Sequence, residues 1–391
     1  MRADVLVVGA GLAGLWTATE LAWRGHDVVL ADRRSSLDTT VRTTGIFVRR
    51  TLEDFDLPPE HLGPPIRRMV LYPPSHRDPV TLDSRHDEFR VGDMAALYLE
   101  LATRAKTAGV RLELGTRYLG SRGGVHQLHG PGGPVEARAT FVVGADGARS
   151  AVARELGLDR NRELLVGAEE VFEVPRRDSR PDAVPAFHCV LDPRLAPGYL
   201  AWVLDDGQHA HVGVAGYPDR YPHGLRDALR RFAATAPGLA GVPVPDAVER
   251  RAGPIPVGGL LRRVAGPRGL LVGDAAGAVS PLTAGGLDPC LRLSAHAADV
   301  LDRALRAGDR RELARYDGAA LRARFRGRLA LRRGLSLVRT PAMAAAGVAA
   351  LRTPPGRAAA RRILFGHGSF PDPRPGNSSS RDRPRPAATF V

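Results

Sequence analysis

The stretch Val5-Leu6-Val7-Val8-Gly9-Ala10-Gly11-Leu12-Ala13-Gly14 decides the fold. Four apolar residues, three of them β-branched, read as a buried strand, and glycines then follow at the G-x-G-x-x-G spacing. From Gly11 the pattern turns amphipathic, with Glu20 and Arg24, and predicts a helix over residues 11–24. A second strand over residues 27–31 ends at Asp32. The whole is a βαβ unit in which each glycine has a task. Gly9 permits the tight turn, Gly11 lets a pyrophosphate reach the backbone, and Gly14 lets helix and strand pack closely. Leu12 and Ala13 open the helix, whose free N–H groups and positive dipole end favour a phosphate. Asp32, with Arg33 beside it, stands 18 residues after Gly14, where a carboxylate accepts from ribose hydroxyls.

The rest of the chain sets limits. Its 391 residues predict two domains, or one large α/β unit with an inserted sheet. Two cysteines exclude a disulfide scaffold and a multi-cysteine metal cage, and Cys189 and Cys290 read as buried thiols. No His/Glu spacing suggests a metal site, and no Ser/His/Asp order stands out. No run of 18 apolar residues predicts a spanning helix. The apolar run after Met1-Arg2 is broken at once by glycine and lacks a cleavage site, so it does not read as an export signal, and a cytoplasmic protein is expected. The net charge of +14 invites a nucleic-acid reading, but residues 301–391 carry 20 arginines against 6 acidic residues and hold the entire excess. The basic balance therefore belongs to the C-terminal segment, and no nucleic-acid partner is expected.

Two further strand-to-loop junctions point to the same ligand. Residues 139–144 read as a strand followed by Ala145-Asp146-Gly147, and residues 270–272 as a strand followed by Gly273-Asp274-Ala275-Ala276-Gly277. Arg90 precedes a helix over residues 94–107 and a strand over 111–114. With these three signatures in order, residues 1–330 resemble the flavoproteins of the para-hydroxybenzoate hydroxylase fold. The resemblance implies FAD, with Asp274 on a ribityl hydroxyl, Asp146 near the pyrophosphate, and Arg42 and Arg90 on the phosphates or ribityl chain. Gly147 and Gly273 belong to the same motifs. The segment Ser280-Pro281-Leu282-Thr283-Ala284-Gly285-Gly286-Leu287 would let the flavin ring approach the backbone at Gly285 and Gly286. The helix from Leu287 would then aim its positive end at the pyrimidine edge.

Within that fold the chain resembles the geranylgeranyl reductase family. The run Gly273–Gly286, the segment Gly253-Pro254-Ile255-Pro256-Val257-Gly258-Gly259 and the aromatic stretch Gly198-Tyr199-Leu200-Ala201-Trp202 carry that likeness. It departs from the family at Thr43-Thr44-Gly45, where Cys-Gly is common, and at Asp205, where proline is usual. Gly277 and Asp288 stand where aromatic hydroxylases carry His and Asn. A flavin halogenase fits poorly, because the chain's one lysine, Lys106, lies on the helix over residues 94–107.

The expected architecture is α/β: a Rossmann-type FAD-binding domain (residues 1–65, 88–159 and 263–330) with an inserted β-sheet substrate domain (66–87 and 160–262). A C-terminal helical segment (331–370) and a disordered tail (371–391) follow. The inserted sheet should contain a hairpin over 66–72 and 79–82 and strands over 185–191, 199–204 and 209–215. Phe187, Tyr199 and Trp202 are candidates for an apolar pocket or for sheet core. Because Tyr199 and Trp202 are three apart, a regular strand would point them to opposite faces, and Trp202 is the residue expected to face the flavin. His188, His209 and His211 are candidate proton donors or solvent-facing strand residues. The basic segment is a candidate for contact with an anionic membrane or a solvated arginine cap. The function expected is reduction of a carbon–carbon double bond in a lipophilic substrate by reduced FAD, with NAD(P)H a transient donor. Two alternatives stay open: an NAD(P)H-dependent monooxygenase acting on a small organic or aromatic molecule, and a non-redox flavoprotein that cyclises or binds its ligand.

Overall fold

The computed structural model describes residues 1–39, 41–174, 185–239 and 246–365. The tail expected to be disordered, and the last residues of the C-terminal segment, lie outside the described residues.

Strand Arg2–Val8 occupies the middle of a sheet, parallel to Val28–Ala31 on one side and Gly133–Gly144 on the other. Arg111–Glu113 extends the sheet beyond Val28–Ala31, and Gly269–Leu271 extends it beyond Gly133–Gly144, again in parallel. The register brings four strand ends level, since Val8 pairs with both Ala31 and Gly144, and Gly144 with Leu271. The glycine turn, Asp32, Asp146 and Asp274 therefore all leave one edge of one sheet, the C-terminal edge where open α/β sheets bind ligands. Helix Leu12–Trp23 covers one face and packs against helices Met94–Thr107 and Leu287–Ala307. Strand Gly133–Gly144 is twice as long as its expected reach, because its first half pairs with Val125–Gly130 as a hairpin arm before the chain enters the parallel sheet.

The second sheet has seven strands, ordered Glu249–Pro256, Leu164–Glu173, His209–Gly216, Ala201–Asp205, Ala186–Val190, Arg68–Tyr72 and Val80–Asp83. All neighbours are antiparallel except Ala186–Val190 with Arg68–Tyr72. The hairpin expected over 66–82 is its edge. The first two strands went unread, because Gly253, Pro254 and Pro256 resemble turn residues and Glu169-Glu170 breaks the apolar run. One face buries Ala210, Val212, Val214, Ala201, Val203 and Phe172 against helix Leu225–Ala233. The alternate residues, His211, Gly213, Trp202 and Glu169, point to the other face.

Three helices close the described chain: Ala319–Ser336, Pro341–Leu351 and Pro354–Leu364. Pro341 opens the second of them, where a missing N–H costs nothing, and Thr340 caps it. The helix Ala319–Ser336 corrects the idea of a solvated arginine cap in part. Arg328 and Arg332 are buried, with Arg328 on the Ser280 hydroxyl (3.1 Å) and the Ile363 carbonyl (3.1 Å) and Arg332 on the Gly198 carbonyl (2.8 Å). Arg332 also lies over the rings of Tyr217 and Tyr199. Its neighbours Leu331, Leu337 and Met343 are exposed. Among the described residues no helix is long and apolar enough to cross a membrane.

Candidate functional site

The glycine turn has the contacts its spacing requires. A Cβ on Gly14 would lie 1.8 Å from the Gly9 carbonyl oxygen, and one on Gly9 2.4 Å from that of Ala145. A Cβ on Gly11 would meet nothing within 4 Å, so the backbone there faces open space. Helix Leu12–Trp23 has no side-chain cap, which leaves its first N–H groups free for an anion. Asp32 is buried and accepts from the Ala10 N–H (2.6 Å) and from the backbone and guanidinium of Arg34. Burial raises its pKa, but those bonds outweigh it and hold the carboxyl below its usual range. Arg34 was not singled out from the sequence. Desolvation and the nearby charges of Arg33 and Arg34 depress the Arg42 guanidinium. Three arginines thus gather around one carboxylate, a surplus of donors suited to a diphosphate.

Asp146 lies beside the glycine turn, its Cα 3.1 Å from a Cβ placed on Gly9. Its carboxylate accepts from the Ser150 hydroxyl (2.6 Å) and from the N–H groups of Ala151 (2.6 Å) and Val152 (3.2 Å). It caps the short helix Ala151–Glu155, so only its backbone and the open-faced Gly147 border the glycine turn. Arg90 lines a cleft of about 500 Å³ with Arg49, Leu52, Phe55 and Arg85, apart from the Arg33–Arg42 group.

Asp274 is the opposite case. It is half-buried at the C-terminal edge of the first sheet, without a hydrogen-bond partner for its carboxylate among the described residues, and desolvation pushes it up to about 6. A Cβ on Gly286 would lie 3.6 Å from its Oδ1. Asn161, unmarked in the sequence, donates to the carbonyls of Asp274 (2.8 Å) and Ala148 (3.0 Å) and ties the two aspartate loops together. The loop from Ser280, with Pro281 buried, folds back through Ser280 N–H to the Gly285 carbonyl (3.0 Å) and puts Ala284 at φ 51°. Non-glycine residues seldom adopt that conformation, which marks a constrained loop. Helix Leu287–Ala307 starts from Gly286 without a side-chain cap, and Asp288 in its first turn is neutralised by Arg292 and bonded by Thr51. An unpartnered carboxylate, an open glycine backbone and uncapped helix ends at one edge of the first sheet fit a dinucleotide with a polyol chain, as FAD has.

The face of the second sheet that does not carry helix Leu225–Ala233 holds a cross-strand row: Trp202, Gly213, Glu169 and Arg251, each paired with the next. A Cβ on Gly213 would lie 2.2 Å from the indole, so the missing side chain lets Trp202 lie across it. The indole N–H donates to Glu169 (3.0 Å). Tyr199 precedes the strand, so alternation does not govern it. It is buried in the same cluster as Trp202, Ile255 and Ala284, and its hydroxyl donates to the Thr283 carbonyl (2.6 Å). The other two pocket candidates lie on different faces, with Phe187 on that of Trp202. Phe187 packs edge-on to Phe89 (5.7 Å) in a separate cluster with Ile66 and Leu204. His188 lies on the opposite face, bonded to the Tyr72 hydroxyl (2.9 Å) and against Gly238. His211 is not solvent-facing: it is 3% exposed and set between Glu169 and Asp206. Cys189 and Cys290 are buried free thiols, and burial raises both.

Residues 4–73 match the FAD dependent oxidoreductase family. The chain is 33% identical over 326 residues to digeranylgeranylglycerophospholipid reductase 1 of Methanopyrus kandleri, covering 79% of this chain and 83% of that protein. It is 31% identical over 330 residues to the digeranylgeranylglycerophospholipid reductase of Methanothrix thermoacetophila, covering 79% and 80%. A geranylgeranyl bacteriochlorophyll reductase-like protein from Thermoplasma acidophilum superposes with a TM-score of 0.80 at 20% identity, over 93% of this chain and 96% of that one. The flavin-dependent monooxygenase PieE, solved with FAD and substrate, shares the fold with a TM-score of 0.68 at 18% identity, over 94% and 72%.

Proposed function

This chain is an FAD-dependent oxidoreductase of the digeranylgeranylglycerophospholipid reductase family, and from that premise we propose that it reduces a carbon–carbon double bond of an isoprenoid lipid held between its two sheets. FAD supplies hydride from its reduced ring, and the chain binds, orients and shields. Gly9, Gly11, Leu12, Ala13 and Gly14 would receive the pyrophosphate, with Arg33, Arg34 and Arg42 as counter-charges. Asp32 would take the ribose, and Asp274 a ribityl hydroxyl. Gly285, Gly286 and the start of helix Leu287–Ala307 would face the ring. Tyr199 and Trp202 would line the apolar side.

The observation that carries this reading is Asp274, a desolvated carboxylate without a protein partner among the described residues, beside the Gly285–Gly286 loop. Such a group is costly unless a ligand donates to it. NAD(P)H would serve as a transient donor, because no second glycine fingerprint offers it a resident site. The basic C-terminal segment, with Leu331, Leu337 and Met343 exposed, would rest on an anionic membrane that presents the lipid. The test is mass spectrometry of the products from digeranylgeranylglycerophospholipid turned over under nitrogen and under oxygen. A gain of two hydrogens under nitrogen supports the reductase. An added oxygen atom only in air assigns a monooxygenase instead.

A further inference from the structure

Saturating a double bond consumes a hydride and a proton, and resting on the reductase reading, we propose that the proton reaches the cleft through a buried relay, Asp206–His211–Glu169–Thr44. The four groups form a continuous hydrogen-bonded line. Asp206, at the turn before strand His209–Gly216, is 20% exposed, and its Oδ2 meets His211 Nε2 at 2.9 Å. The imidazole Nδ1 lies 3.3 Å from Glu169 Oε1, and both side chains are about 96% shielded from solvent (3% and 4% exposed). Glu169 Oε2 accepts from the Thr44 hydroxyl and from the Trp202 indole (3.0 Å). Thr44 belongs to the segment that follows Arg42, and Trp202 packs in the cluster that contains Ala284 of the flavin-facing loop. The line thus runs from the surface at Asp206 to Thr44, two residues before strand Ile46–Val48.

The charges around it hold the mobile proton in place. Arg251 faces Glu169 from the next strand at 3.2 Å, donates to the Thr43 carbonyl (2.9 Å) and is itself paired with Glu249. His209 approaches Asp206 from the same turn (3.6 Å). The imidazole is therefore a cation between two carboxylates, with a second cation, Arg251, beside one of them. Burial alone would lower His211, but Asp206 and Glu169 raise it to about 9. A purely structural buried polar cluster needs no route to solvent, whereas this one ends at a solvent-reaching carboxylate on one side and a hydroxyl on the other.

The proton balance is simple. Thr44 gives its hydroxyl proton to the substrate carbon beside the one that received hydride. Glu169, protonated from His211 Nδ1–H in the same step, restores the hydroxyl; a flip of the imidazole then turns its vacant nitrogen to Asp206, which passes it a solvent proton. One C–H bond forms at each end of the former double bond, and the substrate gains two electrons from the flavin and one proton from water. Thr44 is the catalytic residue of this scheme, and Glu169, His211 and Asp206 act through it.

Two measurements test the relay on the FAD-loaded protein. Histidine NMR titration of the oxidised enzyme should find His211 charged at neutral pH, with its midpoint falling by a unit or more in Glu169→Gln; a neutral His211 at pH 7 overturns the relay. Anaerobic reoxidation of dithionite-reduced enzyme by digeranylgeranylglycerophospholipid should then slow about 10- to 100-fold in His211→Gln and lose its alkaline limb, while FAD affinity stays unchanged. Asp206→Asn, at the surface end and outside the core, should show a smaller slowing that added small carboxylic acids rescue, even if His211→Gln fails to fold. Wild-type turnover with unaltered rates and pH profile in both variants overturns the relay alone. No turnover by the wild-type protein overturns the functional reading, and the relay as a step of that reaction with it.

Discussion

Asp274, half-buried, and His211, buried, have pKa shifts of opposite origin, and each makes a stability statement. Asp274 has its pKa raised to about 6 by desolvation, so the folded protein without FAD binds a proton more readily than the unfolded chain. Stability of the FAD-free protein should therefore fall as pH rises from about 4 through 6. Asp274→Asn should raise the melting temperature of that form at pH 7, by an amount equivalent to roughly 1–3 kcal/mol. The same change should weaken FAD binding about tenfold to a hundredfold, because it removes a charge-assisted bond. Flavin titration and thermal melts of one variant read both effects, and a variant that is less stable and binds FAD normally refutes the cofactor role. For His211 the folded pKa is about 9, above the ordinary histidine value of 6.5. Its contribution is fully present below pH 6.5 and is lost as pH climbs through 9. A shift of that size corresponds to about 3 kcal/mol. Wild-type melting temperature should decline over that window, and His211→Gln should flatten the decline. Equal slopes in both proteins would place the alkaline transition elsewhere.

At the scale of elements, three glycines separate packing from binding. Gly14 seats helix Leu12–Trp23 against the turn, so Gly14→Val drives a side chain into the Gly9 carbonyl and should prevent folding or cost several kcal/mol. Gly11 faces open space, so Gly11→Val should fold normally, melt near the wild-type FAD-free protein and fail to take up FAD. A Gly11→Val protein that stays yellow after purification would misplace the pyrophosphate. Gly213 is the matching device in the second sheet. Trp202→Ala there removes an indole packed across bare backbone and leaves Glu169 short of a donor. A loss of about 3–5 kcal/mol is expected, because cavity and unpaired acceptor act together. The same variant should raise KM for a lipophilic substrate, and a normal KM would make Trp202 sheet core alone.

The whole molecule is closed by its last helices. Val348 and Ala360 bury Val80 and Leu82 of the second sheet's edge strand, and Leu351 and Leu364 pack beside them. Truncation after residue 340 should expose that edge, lower the melting temperature and promote aggregation, yet leave FAD loading intact because the proposed nucleotide site lies at the first sheet. Loss of flavin from that truncated protein would show that the two ends are energetically one. The chain's whole net charge also lies in residues 301–391. Binding to anionic vesicles should weaken steeply with salt, and retention on neutral vesicles at equal strength would remove the electrostatic argument.

What sequence alone could determine here was whatever depends on local geometry. A glycine triplet after an apolar run fixes a strand, a turn and a helix start within 14 residues, and strand Arg2–Val8 and helix Leu12–Trp23 lie where that pattern puts them. The Asp274 loop and the helix from Leu287 were legible for the same reason. Tertiary structure decided which polar side chains meet. Asp146 reads as a ligand-edge residue but caps a helix, and His188 and His211 read alike although one lies on the face that carries helix Leu225–Ala233 and the other within an ion network. Glu169 and Arg251 are separated by 82 residues and become neighbours only through strand register. Local pattern carries no information about that pairing, because a strand dictates which residues share a face but not which distant strand lies beside it.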